Sequence, residues 1–234
     1  MRSTNLLVSL CLSLALSALS AGEAATTRAC VQKYGKDLAS TWEKFPADHQ
    51  KTTRTQAFTD INASFTRELG RSTIPAGEKV QQIIKALLEN LGKADELFRA
   101  EKMKLERSSY IRGCGQVFRK EIAAADDLRE VRTTQKCYDL LVEAAEDARE
   151  RFLLEKNKDQ RAECYTAMQA MFTELMKNAK PPENVDPATQ LDNNLREAKK
   201  RFPVTTQALK DKNGPLITLL QTAAQSVMKK ATAR

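Results

Sequence analysis

Histidine is almost absent: His49 is the only one in 234 residues. Zinc sites built on histidine pairs and Ser–His–Asp hydrolysis would both have to use it, and no ligand-like spacing surrounds it. No catalytic residue, resident metal or cofactor is expected. The chain also lacks runs that alternate between apolar and polar, so strands are not expected. There is no P-loop and no calcium loop of EF-hand spacing. Gly113-Cys114-Gly115 begins like a dinucleotide-binding turn, but Phe118 stands at the third glycine position and no strand precedes it. Acid pairs such as Asp126-Asp127 and Glu146/Glu150 fall at helical spacing near Arg149 and Arg151, the pattern of solvated helix faces.

Long apolar runs are confined to the N-terminus. Arg2 is followed by an almost unbroken apolar stretch over Leu6–Leu19 and then by Ser20, Ala21, Gly22, Ala24 and Ala25. That order is the one a secretory signal shows, and about fourteen apolar residues are too few to span a bilayer. Cleavage is expected between Ser20 and Ala25, with Gly22/Glu23 an acceptable site. Residues 1–22 are therefore read as a signal peptide of a secreted, extracellular protein. The best later candidate for a membrane span, Pro215–Met228, is interrupted by Thr218, Gln221, Thr222, Gln225 and Ser226. No transmembrane segment is expected.

What remains is helical in pattern. Cys30, Tyr34, Leu38 and Trp42 recur every four residues, and Phe58, Ile61, Phe65 and Leu69 repeat the stripe between a possible Asp48 cap and Gly70. Val80–Phe98, Ile111–Ile122, Leu128–Phe152 (capped by Asp126) and Ala162–Met176 follow. Asp186-Pro187 pairs an N-cap with proline at the first helical position and opens Ala188–Phe202, which Pro203 ends. Asn213-Gly214-Pro215 is read as the turn before a last helix. The fold class expected is all-α: an elongated antiparallel bundle of about six to eight helices, with a helical domain over 23–180 and a basic helical segment over 181–234 packed on it.

Four cysteines survive loss of the signal: Cys30, Cys114, Cys137 and Cys164. An even number in an oxidising compartment argues for two disulfides. In an antiparallel hairpin, facing residues are equidistant from the turn, and Cys114 and Cys137 centre on the Ala123–Asp127 break. Cys137 and Cys164 would be offset by about 20 Å at the helical rise, far beyond bridging range. The expected pairs are Cys114–Cys137 and, by elimination, Cys30–Cys164.

Charge is the strongest functional hint. Segment 195–234 carries nine Lys/Arg against Glu197 and Asp211, a net of +7 in a chain of +8. Arg196, Lys199, Lys200, Arg201, Lys210, Lys212, Lys229 and Lys230 are the residues expected to meet an anionic partner. Outside the cell that partner is an extracellular protein, a sulfated polysaccharide or an anionic lipid surface, with no intracellular nucleic-acid role. Asn62-Ala63-Ser64 is a glycosylation sequon. Met168, Met171 and Met176 with Phe172 form a soft apolar patch of the kind that lines a lipid or small-ligand pocket. Cys137-Tyr138 through Cys164-Tyr165 resembles the paired-cysteine helical region of the tsetse EP-type domain family, without the glutamate–proline repeats of its founding member. The resemblance implies a secreted non-enzymatic protein, of the type found in insect saliva, haemolymph, gut or reproductive fluid, and transfers no functional residue. The expected function is extracellular interaction through the basic C-terminal region, with a helical carrier of an apolar ligand as the alternative.

Overall fold

Thr26 opens α1 (Thr27–Lys44), its side-chain oxygen accepting from the Ala29 amide at 3.2 Å. The chain continues through α2 (Lys51–Arg71), α3 (Val80–Leu97), α4 (Lys104–Ile122), α5 (Thr134–Arg151), α6 (Lys158–Met176), α7 (Pro187–Arg201) and α8 (Gln207–Thr232). The computed structural model describes residues 25–98, 101–128, 133–151 and 158–233. The expected signal peptide lies outside the described residues. Among those described there are eight α-helices and no strand, only the isolated bridges Thr26–Thr73 and Thr133–Lys180. The all-α expectation holds.

The two bridges show how the helices are organised. Each residue of the second lies 107 positions after its counterpart in the first. The same shift carries the Thr27 amide bond to the Thr73 carbonyl onto that of Thr134 to Lys180, both at 2.9 Å. It carries the Thr26 cap of Ala29 onto the Thr133 cap of Lys136, both at 3.2 Å. It also carries Gly77, at φ 71°, onto Asn184, at φ 59°, two residue types that tolerate the left-handed region. Buried Cys30 maps to buried Cys137, and buried Arg54 to buried Arg161. From α4 to α8 the shift is 106. The α4 positions 107, 110, 111, 113, 114, 117, 118 and 121 then fall on the buried Asn213, Leu216, Ile217, Leu219, Leu220, Ala223, Ala224 and Val227. The fold is two consecutive four-helix units, α1–α4 and α5–α8.

Packing repeats with the order. In the first unit α1 lies on α2 and on α4, and α3 on α4. In the second α5 lies on α6 and on α8, and α7 on α8. The second helix of each unit ends on a lysine ammonium. Lys120 donates to the carbonyls of Leu69 and Ser72, and Lys230 to those of Met176 and Lys177, so each supplies donors that the last turn of its neighbour lacks. Not every interaction is repeated. Thr27 Oγ1 donates to Glu121, whereas Thr134 Oγ1 has no partner among the described residues because Val227 occupies the matching place. The units join through α4 on α6 and α3 on α5.

That junction overturns the expected disulfides. No pair among Cys30, Cys114, Cys137 and Cys164 is bridged, and all four are buried. A Cys114–Cys137 bridge requires α4 and α5 to lie side by side. Instead, α4 turns its Cys114 face to α6, and Cys137 lies on α5 near Lys230 of α8. Burial pushes the thiols of Cys114 and Cys164 up to about 12 and that of Cys137 up to about 11, so they are protonated and unreactive at neutral pH. With residues 1–22 removed, a thiol-reactive disulfide reagent is expected to label essentially none of the four natively and all four in denaturant without reductant. Recovery of no thiol in denaturant would restore the two bridges.

Several local expectations are also revised. Asp126 does not cap α5; its neighbour Asp127 accepts from the Val80 amide at 2.7 Å and so caps α3. Gly70 is the last residue but one of α2, next to the expected end, and a short 3-10 turn, Asp48–Gln50, precedes that helix. Asn213-Gly214-Pro215 is not a turn. Thr206 caps α8 through the Leu209 amide, and the helix runs through Pro215, while buried Asn213 donates to the Pro203 carbonyl at 2.7 Å. Asp186-Pro187 behaves as expected, with the aspartate accepting from the Thr189 amide at 2.8 Å.

Candidate functional site

The eight basic residues do not form one surface. Lys199, Lys200 and Arg201 close α7, and Lys210 and Lys212 begin α8 just beyond the connecting turn, so these five share one end of the second unit. Lys229 and Lys230 lie nineteen and twenty residues further along α8 than Lys210, about 29–30 Å away at the helical rise. Exposure separates them further. Lys199, Lys200, Lys210 and Lys229 are exposed, and Lys212 is half-buried. Lys230 spends its ammonium on the end of α6. Arg201 pairs with Glu197 at 2.8 Å and with Glu146 at 3.3 Å. Arg196 is exposed along a mixed-charge groove between α5 and α7 that also contains Lys136, Asp139, Glu143 and Glu197.

Lys199, Lys200 and Lys210 have no carboxylate within 4 Å among the described residues. Sequence reasoning missed their neighbour Arg149 on α5. It donates to the Arg201 carbonyl at 3.0 Å and lies over the Phe202 ring at 5.2 Å, fixing the end of α7 beneath the lysines. Its position among acids in α5 hid it; only the contact with α7 shows its role.

The apolar alternative also finds a place. A groove of 540 Å³ runs between α4 and α6 where the two units join. Ile111, Phe118, Met171 and Leu87 form its floor, Gly115, Ala162, Ala167 and Ala170 its close walls, and Arg112 and Arg119 stand on the rim. Of the expected lining residues, only Met171 reaches it. Met168, Phe172 and Met176 are buried in the core of the second unit. Asn62 is half-buried, with Nδ2 donating to the Phe58 carbonyl at 2.7 Å and Oδ1 accepting from the Tyr34 hydroxyl at 2.5 Å. His49 is exposed in the short turn before α2.

Among the described residues, no cluster of three His, Cys, Asp or Glu could hold a metal ion, and no helix is long and apolar enough to cross a membrane. No family model matches this chain, and neither a curated protein nor a solved structure does.

Proposed function

We propose that this chain is a secreted, non-enzymatic interaction protein that engages an anionic extracellular partner through the end of its second unit. The observation that carries the reading is the group Lys199, Lys200 and Lys210, exposed together at one turn with no carboxylate beside them among the described residues. A sulfated polysaccharide or an anionic lipid surface offers the dense negative charge that such a group attracts. The expected affinity falls steeply with salt, because each neutralised charge releases counterions. The test is binding of the mature protein to heparin and to anionic vesicles over a salt series. Reversing all three lysines to glutamate is expected to weaken binding by about tenfold or more at low salt and to flatten the slope. Lys229→Glu, at the far end of α8, is expected to leave both unchanged. Indifference to the triple reversal would reject the reading.

A second reading, a helical carrier of an apolar ligand, is favoured by the groove between α4 and α6. Its volume lies within the range of about 300–1,000 Å³ usual for small-molecule sites.

A further inference from the structure

The groove's dimensions and charge narrow what it can hold. Its α4 wall extends from Ser108 to Arg119, eleven helical rises, so it is about 17 Å long. The 540 Å³ open to the centre of a water molecule over that length corresponds to a groove about 9 Å across once the water's own width is added. An α-helix with side chains, about 10–12 Å across, is too wide to sink into it, whereas a single extended hydrocarbon chain fits. Small residues line both walls, Gly115 on α4 and Ala162, Ala167 and Ala170 on α6, and a larger side chain at any of them would project into the groove.

The rim is cationic. Arg112 and Arg119, two turns apart on α4, are both exposed, and Arg112 Nη2 donates to Ser109 Oγ at 2.8 Å. The Arg119 guanidinium folds back above Gly115, with Nη1 4.0 Å from the place a Cβ would take. Neither arginine has a carboxylate within 4 Å among the described residues. The one acid on the wall, Glu163, is already held by Arg107 and Ser108. The groove thus pairs an apolar floor with the Arg119 guanidinium above Gly115 and with Arg112 toward the Ser108 end, one of its nitrogens on Ser109, and guanidinium matches a carboxylate in geometry as well as charge.

We propose that the groove between α4 and α6 binds a long-chain carboxylate, its acyl chain along Ile111, Phe118 and Met171 and its head group held by Arg112 and Arg119. This rests on the carrier reading and names its ligand class. The test is displacement of a fluorescent polyene fatty acid from the mature protein by oleate and by oleyl alcohol. One saturable site is expected, with oleate at least tenfold stronger than the alcohol. Arg112→Gln with Arg119→Gln should weaken oleate about tenfold and leave the alcohol unchanged. Gly115→Leu, in a spot where an added Cβ meets only Arg119, should abolish both while preserving the helical spectrum. Ala167→Leu closes the channel from the opposite wall as a second variant and should do the same.

No saturable binding of the polyene acid would overturn this inference and the carrier reading together. Equal affinity for acid and alcohol, unaffected by the arginine changes, would overturn the head-group assignment and leave the carrier standing. Undiminished binding in both filled variants would move the ligand elsewhere. Reversal of Lys199, Lys200 and Lys210 should leave oleate binding intact.

Discussion

Gly35→Val is expected to lower stability by about 2–3 kcal/mol, read as a lower denaturant midpoint with an unchanged m-value. A Cβ on Gly35 would stand 2.7 Å from Cε2 of Tyr110 and 2.9 Å from Cδ1 of Leu97. The Tyr110 ring is fully buried, tilted against Phe98 at 5.6 Å and against Tyr34 at 6.5 Å, so it has no room to retreat. Loss of glycine's helix penalty returns at most about 1 kcal/mol, less for a β-branched residue. The contact is reciprocal: across the same pair of helices, a Cβ on Gly113 would meet Tyr34 Cε1 at 2.8 Å. Each helix gives up a side chain to admit the other's tyrosine. Trimming the ring as well, with Gly35→Val and Tyr110→Leu together, is expected to cost less than the sum of the two single changes. An unchanged midpoint for Gly35→Val would show that α1 and α4 can separate freely.

The second large effect concerns Arg107. It is 4% exposed on α4, donates to Asp95 on α3 at 2.7 Å, and pairs with Glu163 on α6. Neutralising both acids, Asp95→Asn with Glu163→Gln, leaves a buried guanidinium without an opposing charge and is expected to cost about 3 kcal/mol. Either acid change alone should cost much less, since the other remains. Arg107→Met should also cost less than the double change, because it removes the buried charge and leaves the two acids about one-third exposed. Unfolding of the four variants in parallel checks the order. If Arg107→Met proved the most damaging, the side chain's packing rather than its charge would dominate. Since Glu163 belongs to the second unit, the double change is also expected to loosen the junction.

Much of the helix layout was legible in sequence because local chemistry settled it. Asp186-Pro187 specifies a helix start whatever surrounds it, and the four-residue stripe from Cys30 to Trp42 permits nothing else. The failures lie where distant contacts decide. Asn213-Gly214-Pro215 has the residues of a turn, yet Asn213 is held by the Pro203 carbonyl and Thr206 has already opened the helix. The cysteine pairing failed because facing distance was measured along a hairpin that the chain does not make.

The shift of 107 residues, 106 from α4 to α8, is faint in the sequence because equivalent positions share burial more often than identity. Thr27 and Thr134, Cys30 and Cys137, and Arg54 and Arg161 agree, but Tyr34 answers to Leu141, Ile83 to Gln190 and Glu121 to Val227. At the candidate basic site, the residue types were visible, but which of them spend their charge internally was not. Nothing in the sequence distinguishes Lys230, which closes a neighbouring helix, from exposed Lys229. The groove was invisible for a related reason: its walls come from helices of different units, and only Met171 among the residues singled out belongs to it.

The junction between the units is head-to-tail: α3 and α4 of the first meet α5 and α6 of the second, so the same contact could in principle be made again by another molecule. Such an interface, left open, generates filaments. The first unit lacks a matching apolar face. Where α5 presents Leu140 and Ala144 to α3, α1 carries Lys33 and Asp37, and where α6 presents Ala162 and Ala167 to α4, α2 carries Thr55 and Asp60. Lys33 is further committed to Glu68 at 2.6 Å. A second molecule arriving at that face would have to strip water from charges and hydroxyls for which its own Leu191 and Leu195 offer no partner. The first unit therefore lacks the apolar face with which a second molecule could repeat the junction.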